Sequence, residues 1–457
     1  MKRDYFRLAD KQEGTAFYAD ERASGALRTV NVVRFVSRAY CVVRASHALE
    51  RIPLSLTDHG DGRLNAVTER RIIITKYLSK VAVLVALSLN AVSPLQAQVL
   101  HSTQRSDDVA AIVSQSAGKF FKSAPKAVGL SIGVLKDGKT YTYNYGTIEK
   151  GKKSPPSADT LYQIASITKT FTGTILAQAV IEKKVKFDDD VRKYLDGDYP
   201  NLEFQRHFIQ LGQLVNHNSG LPFNLPDIPE NRPPFSIPVS SATREMLNHY
   251  SRKDFLADLH SVQLKTVPGE KFSYSNTAAV LLSIVLERVY AMPYQEIVKQ
   301  KIASPLGMRD TTISVNEPQN ARLARGYDEN GVIVPGPYDM LLGAGALKST
   351  VADILKYASW ELAEEDPAVK LSHTPRFILT DNFSVGLNWQ MLHSGPYRRI
   401  WQEGNLPGFV SMCMTFPELH IAVIVLANED DSESSHALSV MANEIAKTLD
   451  VRSAPLL

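Results

Sequence analysis

Three short segments hold residue types able to run covalent chemistry: Ser166-Ile167-Thr168-Lys169, Tyr274-Ser275-Asn276 and Gly129-Leu130-Ser131-Ile132-Gly133. A serine hydroxyl is a poor nucleophile until a neighbouring base takes its proton. The spacing of Ser166 and Lys169 puts both on one side of a helix, one turn apart. A lysine desolvated within a closed site loses its charge and becomes such a base. The helix N-terminus also favours a developing negative charge. S-x-x-K alone is a weak signal, since Ser116–Lys119 and Ser123–Lys126 match it too. Only Ser166 opens a long periodic helix, with Ile167, Phe171, Ile175, Leu176, Ala179 and Val180 on one face. Tyr274-Ser275-Asn276 follows a Pro268-Gly269 turn and precedes a new apolar helix, a loop position where function collects. A phenol beside a cationic lysine is expected to have a lowered pKa, which makes Tyr274 a second proton carrier. Asn276 offers a donor and an acceptor to a substrate amide or ester.

Ser131 matches the G-x-S-x-G pattern, which works only on a sharp strand-to-helix turn. Here the chain continues through Val134-Leu135 and an Asp137-Gly138 turn into another strand, which predicts a hairpin serine and no nucleophile elbow. Asp188 to Asp190 read as an acidic cap before Val191, because no Ca²⁺-loop spacing follows. Two cysteines, Cys41 and Cys413, exclude a disulfide framework and Cys-rich metal sites. Cys413 lies among Met412, Met414 and Phe416, the setting of a core thiol. The motifs call for no metal and no cofactor.

The elements that must position these groups are legible in outline. A helix is predicted from about Ser106, opened by Asp107 and Asp108, with Val109, Ile112, Val113 and Phe120 on its apolar side. Val128–Leu135 and Tyr141–Tyr145 read as strands. Four further strand-like runs occupy 384–392, 397–402, 408–415 and 419–427, and an amphipathic helix closes the chain over about 434–449. The middle, about 165–335, is mainly helical, and six prolines between Leu221 and Ser240 forbid regular ladders there. The expected fold class is α+β: one antiparallel sheet assembled from about 105–160 and 340–450, flanked by helices, beside a mainly helical lobe. A site between the two is the natural expectation.

The first hundred residues differ. Arg70, Arg71, Lys76 and Lys80 precede a largely apolar stretch from Val81 to Val92, then Pro94 and a small-residue site at Ala97. This is the order of a secretory signal peptide, giving a leader of 1–97 and a mature domain of 98–457, secreted or periplasmic after cleavage near Ala97. A signal so far from Met1 suggests a true start just before Arg70, through a non-Met codon, since no Met occurs between Met1 and Met246. The leader carries 15 Lys+Arg against 9 Asp+Glu and the rest 36 against 39, so the formal charge of +3 belongs to the leader. That balance argues against a nucleic-acid partner. No apolar run reaches the roughly 20 residues of a membrane-spanning helix.

Taken in order, the motifs resemble the serine β-lactamase and penicillin-binding-protein superfamily, nearest its class C β-lactamases, D-alanyl peptidases and related esterases. The resemblance spans about 105–450. Supporting segments are Phe187-Asp188-Asp189-Asp190-Val191, His217-Asn218-Ser219-Gly220-Leu221-Pro222, Pro305-Leu306-Gly307-Met308-Arg309-Asp310-Thr311 and Ser349-Thr350-Val351-Ala352-Asp353. It implies a β-lactamase/transpeptidase-like fold and an acyl-enzyme on Ser166, with Lys169 as proton acceptor and Tyr274 as shared base and acid. It further implies that Asn276 contacts substrate, that His217 structures its loop, and that the oxyanion hole uses the N–H groups of Ser166 and Asn405.

The family's third motif, Lys-Thr-Gly or His-x-Gly, falls on Gln402-Glu403-Gly404, so Gln402, Gly404 and Asn405 are expected on the substrate side. Glycine agrees, but the cation is missing. Its loss weakens recognition of a carboxylate such as that of a β-lactam or peptide C-terminus, and a cleft-facing Glu403 would repel it. The implied activity is a serine hydrolase acting on a small ester, amide or peptide, with esters first. Two alternatives stand. One is a D-alanyl peptidase or β-lactamase whose cation comes from Arg398 or Arg399. The other is a penicillin-binding or sensor protein that never turns over. Trp401 either lines the cleft or packs the sheet.

Overall fold

The computed structural model describes residues 94–229, 245–247, 249–334, 339–430 and 432–457. The signal-like segment up to Ser93 and most of the proline-rich loop lie outside the described residues.

The Asp137-Gly138 turn has left-handed φ at both residues (50° and 76°), the geometry a tight hairpin demands. It joins β1 (Gly129–Lys136) to β2 (Lys139–Gly146). The remaining strands of the main sheet come from the other end of the chain: β3 (Phe377–Ile378), β4 (Phe383–Gly386), β5 (Trp389–Ser394), β6 (Tyr397–Leu406), β7 (Phe409–Phe416) and β8 (Ile421–Ala427). The spatial order is β2-β1-β8-β7-β6-β5-β4-β3, and every pairing is antiparallel. The predicted run 384–392 is in fact two strands, broken at Leu387-Asn388, where Asn388 has φ 66°. Hydrophobic alternation does not register a break whose two sides are both buried.

Helix α1 (Pro94–Ser123) and helix α7 (Ser432–Leu449) cover one sheet face. Val113, Phe120, Leu438, Met441 and Ile445 pack there on Ile132, Met412, Met414 and Val425. The α1 backbone is helical well before Asp107, so the Asp107-Asp108 pair does not open it. An acidic pair suits a cap, but the backbone ladder simply continues through it. The other sheet face meets α6 (Val351–Ala363), whose Val351 and Leu355 leave no room for a side chain at Gly133.

Beyond α6 stands α2 (Thr168–Ile181), packed on α4 (Asn276–Tyr290) and α5 (Leu342–Gly345), with α3 (Leu211–Val215) packed in turn on α4. The one-sided apolar stripe expected of α2 is not what it uses. Thr168 through Ala177 are all buried, and so is Ala179. Its polar residues are satisfied near and far: Thr170 Oγ1 donates to Ile167 O (2.8 Å) and Thr172 Oγ1 to Gly343 O (2.7 Å). A helix walled on every side is the most rigid mount a small domain offers. No single described helix is long and apolar enough to cross a membrane.

Candidate active site

Ser166 does not open α2 directly. It sits in a single 3₁₀ turn, Ala165–Ile167, just before the helix. Ala165 has φ 46°, a left-handed conformation that costs an L-residue with a Cβ about 1–3 kcal/mol and concentrates at functional sites. The turn presents Ser166 as the one partly exposed residue in an otherwise buried run from Leu161 to Thr174.

Lys169 follows one turn later and is wholly buried. Its Nζ lies 2.9 Å from Ser166 Oγ and donates to the Ala344 carbonyl at 2.6 Å. Burial pushes its pKa well below the usual 10.5, which favours the uncharged form a base needs. The Tyr274 ring centroid lies 5.0 Å from Nζ. The Tyr274 hydroxyl accepts from Gln402 Nε2 at 3.0 Å and lies near enough to Ser166 for that serine to act on its pKa. Its pKa is raised, not lowered: desolvation dominates, the Ser166 and Gln402 hydrogen bonds offset part of it, and Glu403 adds to the rise. The expectation of an acidified phenol rested on the lysine's charge, and burial of the hydroxyl outweighs it.

The loop holding Tyr274 is fixed from both sides. Ser273 N donates to His217 O (2.6 Å), and Ser275 N donates to His217 Nδ1 (3.3 Å). The His217 ring lies 4.2 Å from that of Tyr274, and burial drives its pKa down to about 3. A neutral imidazole that already accepts from the backbone structures this loop. Ser275 caps α4, accepting from Ala278 N (3.0 Å) and donating to Pro222 O (2.7 Å). Asn276 is tied to the adjoining loop, its Nδ2 donating to Asn224 Oδ1 at 2.8 Å.

Strand β6 supplies the fourth wall. An added Cβ on Gly404 would lie 2.7 Å from Ile164 O and 2.8 Å from Ala165 Cβ, so glycine is what lets the strand touch the nucleophile turn. β7 pairs with β6 over Ile400–Leu406, but β5 reaches only to Trp401. From Gln402 to Leu406 the β5-side edge therefore carries no strand among the described residues. Pro407-Gly408 closes a two-residue turn between Leu406 and Phe409, and alternation then aims the Asn405 amide at that open edge. The Asn405 side chain goes elsewhere, donating to Asp430 Oδ1 (2.8 Å) and Ser435 Oγ (3.0 Å).

Several sequence expectations need correction. Gln402 is 1% exposed and bonded to Tyr274, so it is no open substrate contact. Glu403 alternates away from Gln402 and Gly404, so it does not face the cleft beside them. Trp401 packs the sheet, against Arg399 (4.3 Å) and Phe383 (5.9 Å). Neither arginine supplies the missing cation. Arg398 is held by Glu364 (2.8 Å) and Glu418 (2.6 Å). Arg399 is buried on the opposite face and donates to Leu456 O (3.2 Å).

The structure also brings in residues that no motif flagged. Asn388 Nδ2 donates to the Lys169 carbonyl (2.8 Å), while its own N–H donates to Val215 O (2.8 Å). Ala344 accepts from Lys169, within Gly343-Ala344-Gly345, a run of small residues that hinted at close approach.

The fold is of the β-lactamase/transpeptidase kind, and it gathers a serine turn, a buried lysine, a tyrosine bonded to β6 and an open strand edge in one place. The chain belongs to the beta-lactamase family, whose model, described as Beta-lactamase, matches residues 117–445. A beta-lactamase from Pseudomonas fluorescens is 29% identical over 275 residues, covering 58% of this chain and 69% of that protein. The D-alanyl-D-alanine-carboxypeptidase/endopeptidase AmpH of Escherichia coli K12 is 29% identical over 284 residues, covering 62% and 69%. Among solved structures, a beta-lactamase/D-alanine carboxypeptidase from Yersinia pestis complexed with citrate superposes with a TM-score of 0.62 at 25% identity, over 74% of this chain and 99% of that one. The protein is accordingly a serine hydrolase of the β-lactamase and DD-carboxypeptidase family.

Proposed function

We propose that Ser166 is the acylated nucleophile, Lys169 its base and Tyr274 the partner acid, and that esters are the preferred substrates. The observation that carries the ester reading is Gln402: a buried, neutral amide stands where a carboxylate-binding cation is expected, and both nearby arginines are engaged elsewhere. Lys169 takes the Ser166 proton across their 2.9 Å contact as Oγ attacks the carbonyl carbon. The oxyanion settles between the backbone N–H groups of Ser166 and Asn405, donors typically worth about 10²–10³ in rate each. Protonation of the leaving oxygen frees the alcohol. Water activated by the same groups then releases the acid.

The similarity to a beta-lactamase and to a D-alanyl-D-alanine-carboxypeptidase, with the open β6 edge, supports a second reading in which β-lactams or peptides are hydrolysed. One panel separates the two: a p-nitrophenyl ester, a chromogenic cephalosporin and a D-alanyl-D-alanine peptide, given to wild type and Ser166→Ala. The ester should lead in kcat/KM by about 10–100-fold, the worth of one lost charge-assisted contact. Activity should vanish in Ser166→Ala. A cephalosporin turned over faster than the ester sinks the ester preference. Covalent labelling by a fluorophosphonate without any turnover would favour the sensor reading, and no label at Ser166 would remove the nucleophile assignment altogether.

A further inference from the structure

A buried charge cluster lies outside the serine site and takes no part in its proton transfers. His373, just past the short helix Pro367–Ser372, has a side chain only 1% exposed and a carboxylate at each ring nitrogen. Glu364 Oε1 lies 2.7 Å from Nδ1, and Glu361 Oε2, on a fully buried side chain, lies 2.9 Å from Nε2. Both glutamates stand at the C-terminal end of α6. Glu364 holds a left-handed φ of 49°, a helix-end conformation that favours glycine, and its carboxylate also pairs with Arg398 of β6 at 2.8 Å. Arg398 is shared with Glu418, in the turn after β7, at 2.6 Å. Tyr357 of α6 and Cys413 of β7 face Glu361 too, and burial together with that carboxylate pushes both pKa values up.

Only an imidazolium donates from both nitrogens, and a neutral ring would turn one lone pair on a carboxylate oxygen. Two routes lead from this cluster to the nucleophile helix. Through α6, Glu361 Oε1 accepts from Thr174 Oγ1 of α2 (3.4 Å), while one turn earlier Tyr357 donates to Thr170 (3.0 Å) and stacks on Phe171 (4.0 Å). Through the backbone, the residues on either side of His373 press on Gly386, where an added Cβ would lie 2.5 Å from Ser372 O and 2.7 Å from Thr374 O. Two residues further on, Asn388 Nδ2 holds the Lys169 carbonyl at 2.8 Å. We propose that His373 and Glu361 are positioning residues: the His373 imidazolium clamps α6 and the Leu387-Asn388 turn onto α2, and its deprotonation lets Ser166 and Lys169 move out of alignment. The proposal rests on the assignment of Ser166 as nucleophile.

Glu361, Glu364 and Glu418 share two cations, Arg398 and His373, while the ring is protonated. Once the ring is neutral, Glu361 is a buried carboxylate facing an imidazole lone pair, a state that movement of α6 relieves. Burial disfavours the His373 charge, but the two glutamates outweigh it, so its pKa is raised above 6.5. The folded protein therefore holds this proton more tightly than the unfolded chain does. Its stabilisation is complete below 6.5 and is lost as pH rises through the native value. Lys169, with its lowered pKa, contributes a slope of opposite sign, so the His373 effect is read as a difference between wild type and variant.

Glu361→Gln is the informative variant, because its amide donates to a neutral imidazole that still donates to Glu364, so the clamp closes without the extra proton. Urea unfolding and the rate of fluorophosphonate labelling at Ser166 are followed in the full chain from about pH 6 to about pH 9.5, the range of a raised histidine. Relative to Glu361→Gln, the wild-type folding constant should fall by about tenfold for each unit by which the native pKa exceeds 6.5. Wild-type labelling should slow by about 3- to 10-fold relative to the variant over the same range. Hydrogen exchange at the imidazole C2 position, read by peptide mass spectrometry, needs no variant and should place half-protonation of His373 above 6.5. A value at or below 6.5 overturns the proposal even where the variant fails to fold. Parallel pH profiles in wild type and Glu361→Gln overturn it too, including a variant weaker at every pH, which is what a merely structural role predicts. A stability difference that follows pH while the labelling ratio stays constant overturns the link to α2. Absence of label in the wild type at every pH instead brings down the nucleophile assignment, and leaves the His373 titration and the stability profile as they are.

Discussion

Ser131 and Ser166 each stand beside a tyrosine, and only one stands in an arrangement fit for attack. Ser131 lies within β1, paired on both sides opposite Asn144 and Leu426, with no exposed surface. Its hydroxyl donates to Asn144 Oδ1 (2.7 Å) and shares a bond with Tyr162 OH (3.1 Å), a phenol that burial also pushes up. Ser166 has a tyrosine too, but it also has a buried lysine at 2.9 Å, a left-handed residue before it and an open strand edge across from it. A serine–tyrosine pair is therefore a structural unit as readily as a catalytic one. The base and the open face make the difference, and the motif that names Ser131 supplies neither.

The largest way to break the comparison is to take the base away. Lys169→Met should lower ester turnover by about 10³-fold, within the range of general-base contributions. It should also raise the melting temperature, because burying a lysine at the expense of its charged form destabilises the fold. The unfolded chain binds a proton on this residue that the native state does not, so native stability rises with pH between the lowered pKa and 10.5. Urea titrations across pH should show that slope in the wild type and lose it in the variant. A variant that is both inactive and less stable at neutral pH would contradict the uncharged assignment.

A smaller effect comes from moving the fourth wall. Gly404→Ala places a methyl against Ile164 O, Ala165 Cβ and Ser411 Oγ, which displaces β6 from the nucleophile turn. Turnover should fall by about 10–100-fold, since misplacements of an ångström cost that much, with a lower melting temperature. Kinetics at several ester chain lengths would show kcat, not KM, taking the loss. The smallest effect sharpens the comparison from the other side. Ser131→Ala should leave labelling of Ser166 unchanged and cost about 1–2 kcal/mol by chemical denaturation, for the bonds lost to Asn144 and Tyr162.

Much of this was legible because it is local. Ser166, Lys169 and Tyr274 announce themselves by spacing and by adjoining turns, and Asp137-Gly138 fixes a hairpin whose strands end within a residue or two of their expected limits. The Asp190 side chain caps the turn after it as its composition implied, accepting from Arg192 N at 2.9 Å. What sequence could not carry is long-range. Lys169 and Asn388 meet across the fold, and no pattern near either residue records it. The all-round burial of α2 is invisible for the same reason: threonines look polar until their partners on Gly343 and Tyr294 are in place. The side of β6 to which Gln402 and Glu403 point depends on register, which a single unpaired sequence leaves open.

The pairing of Leu130 with Ala427 has a consequence for how the molecule comes into being. The first strand cannot find its second neighbour, β8, until nearly the whole chain is available, and closing so long a loop costs entropy before those contacts repay it. Helix α2 depends on that closure, since the Leu387-Asn388 turn pressed against Gly173 belongs to the late half. Folding should thus be slow and of high contact order, and a nascent chain interrupted before β8 would hold the serine and the lysine in sequence yet have no assembled catalyst.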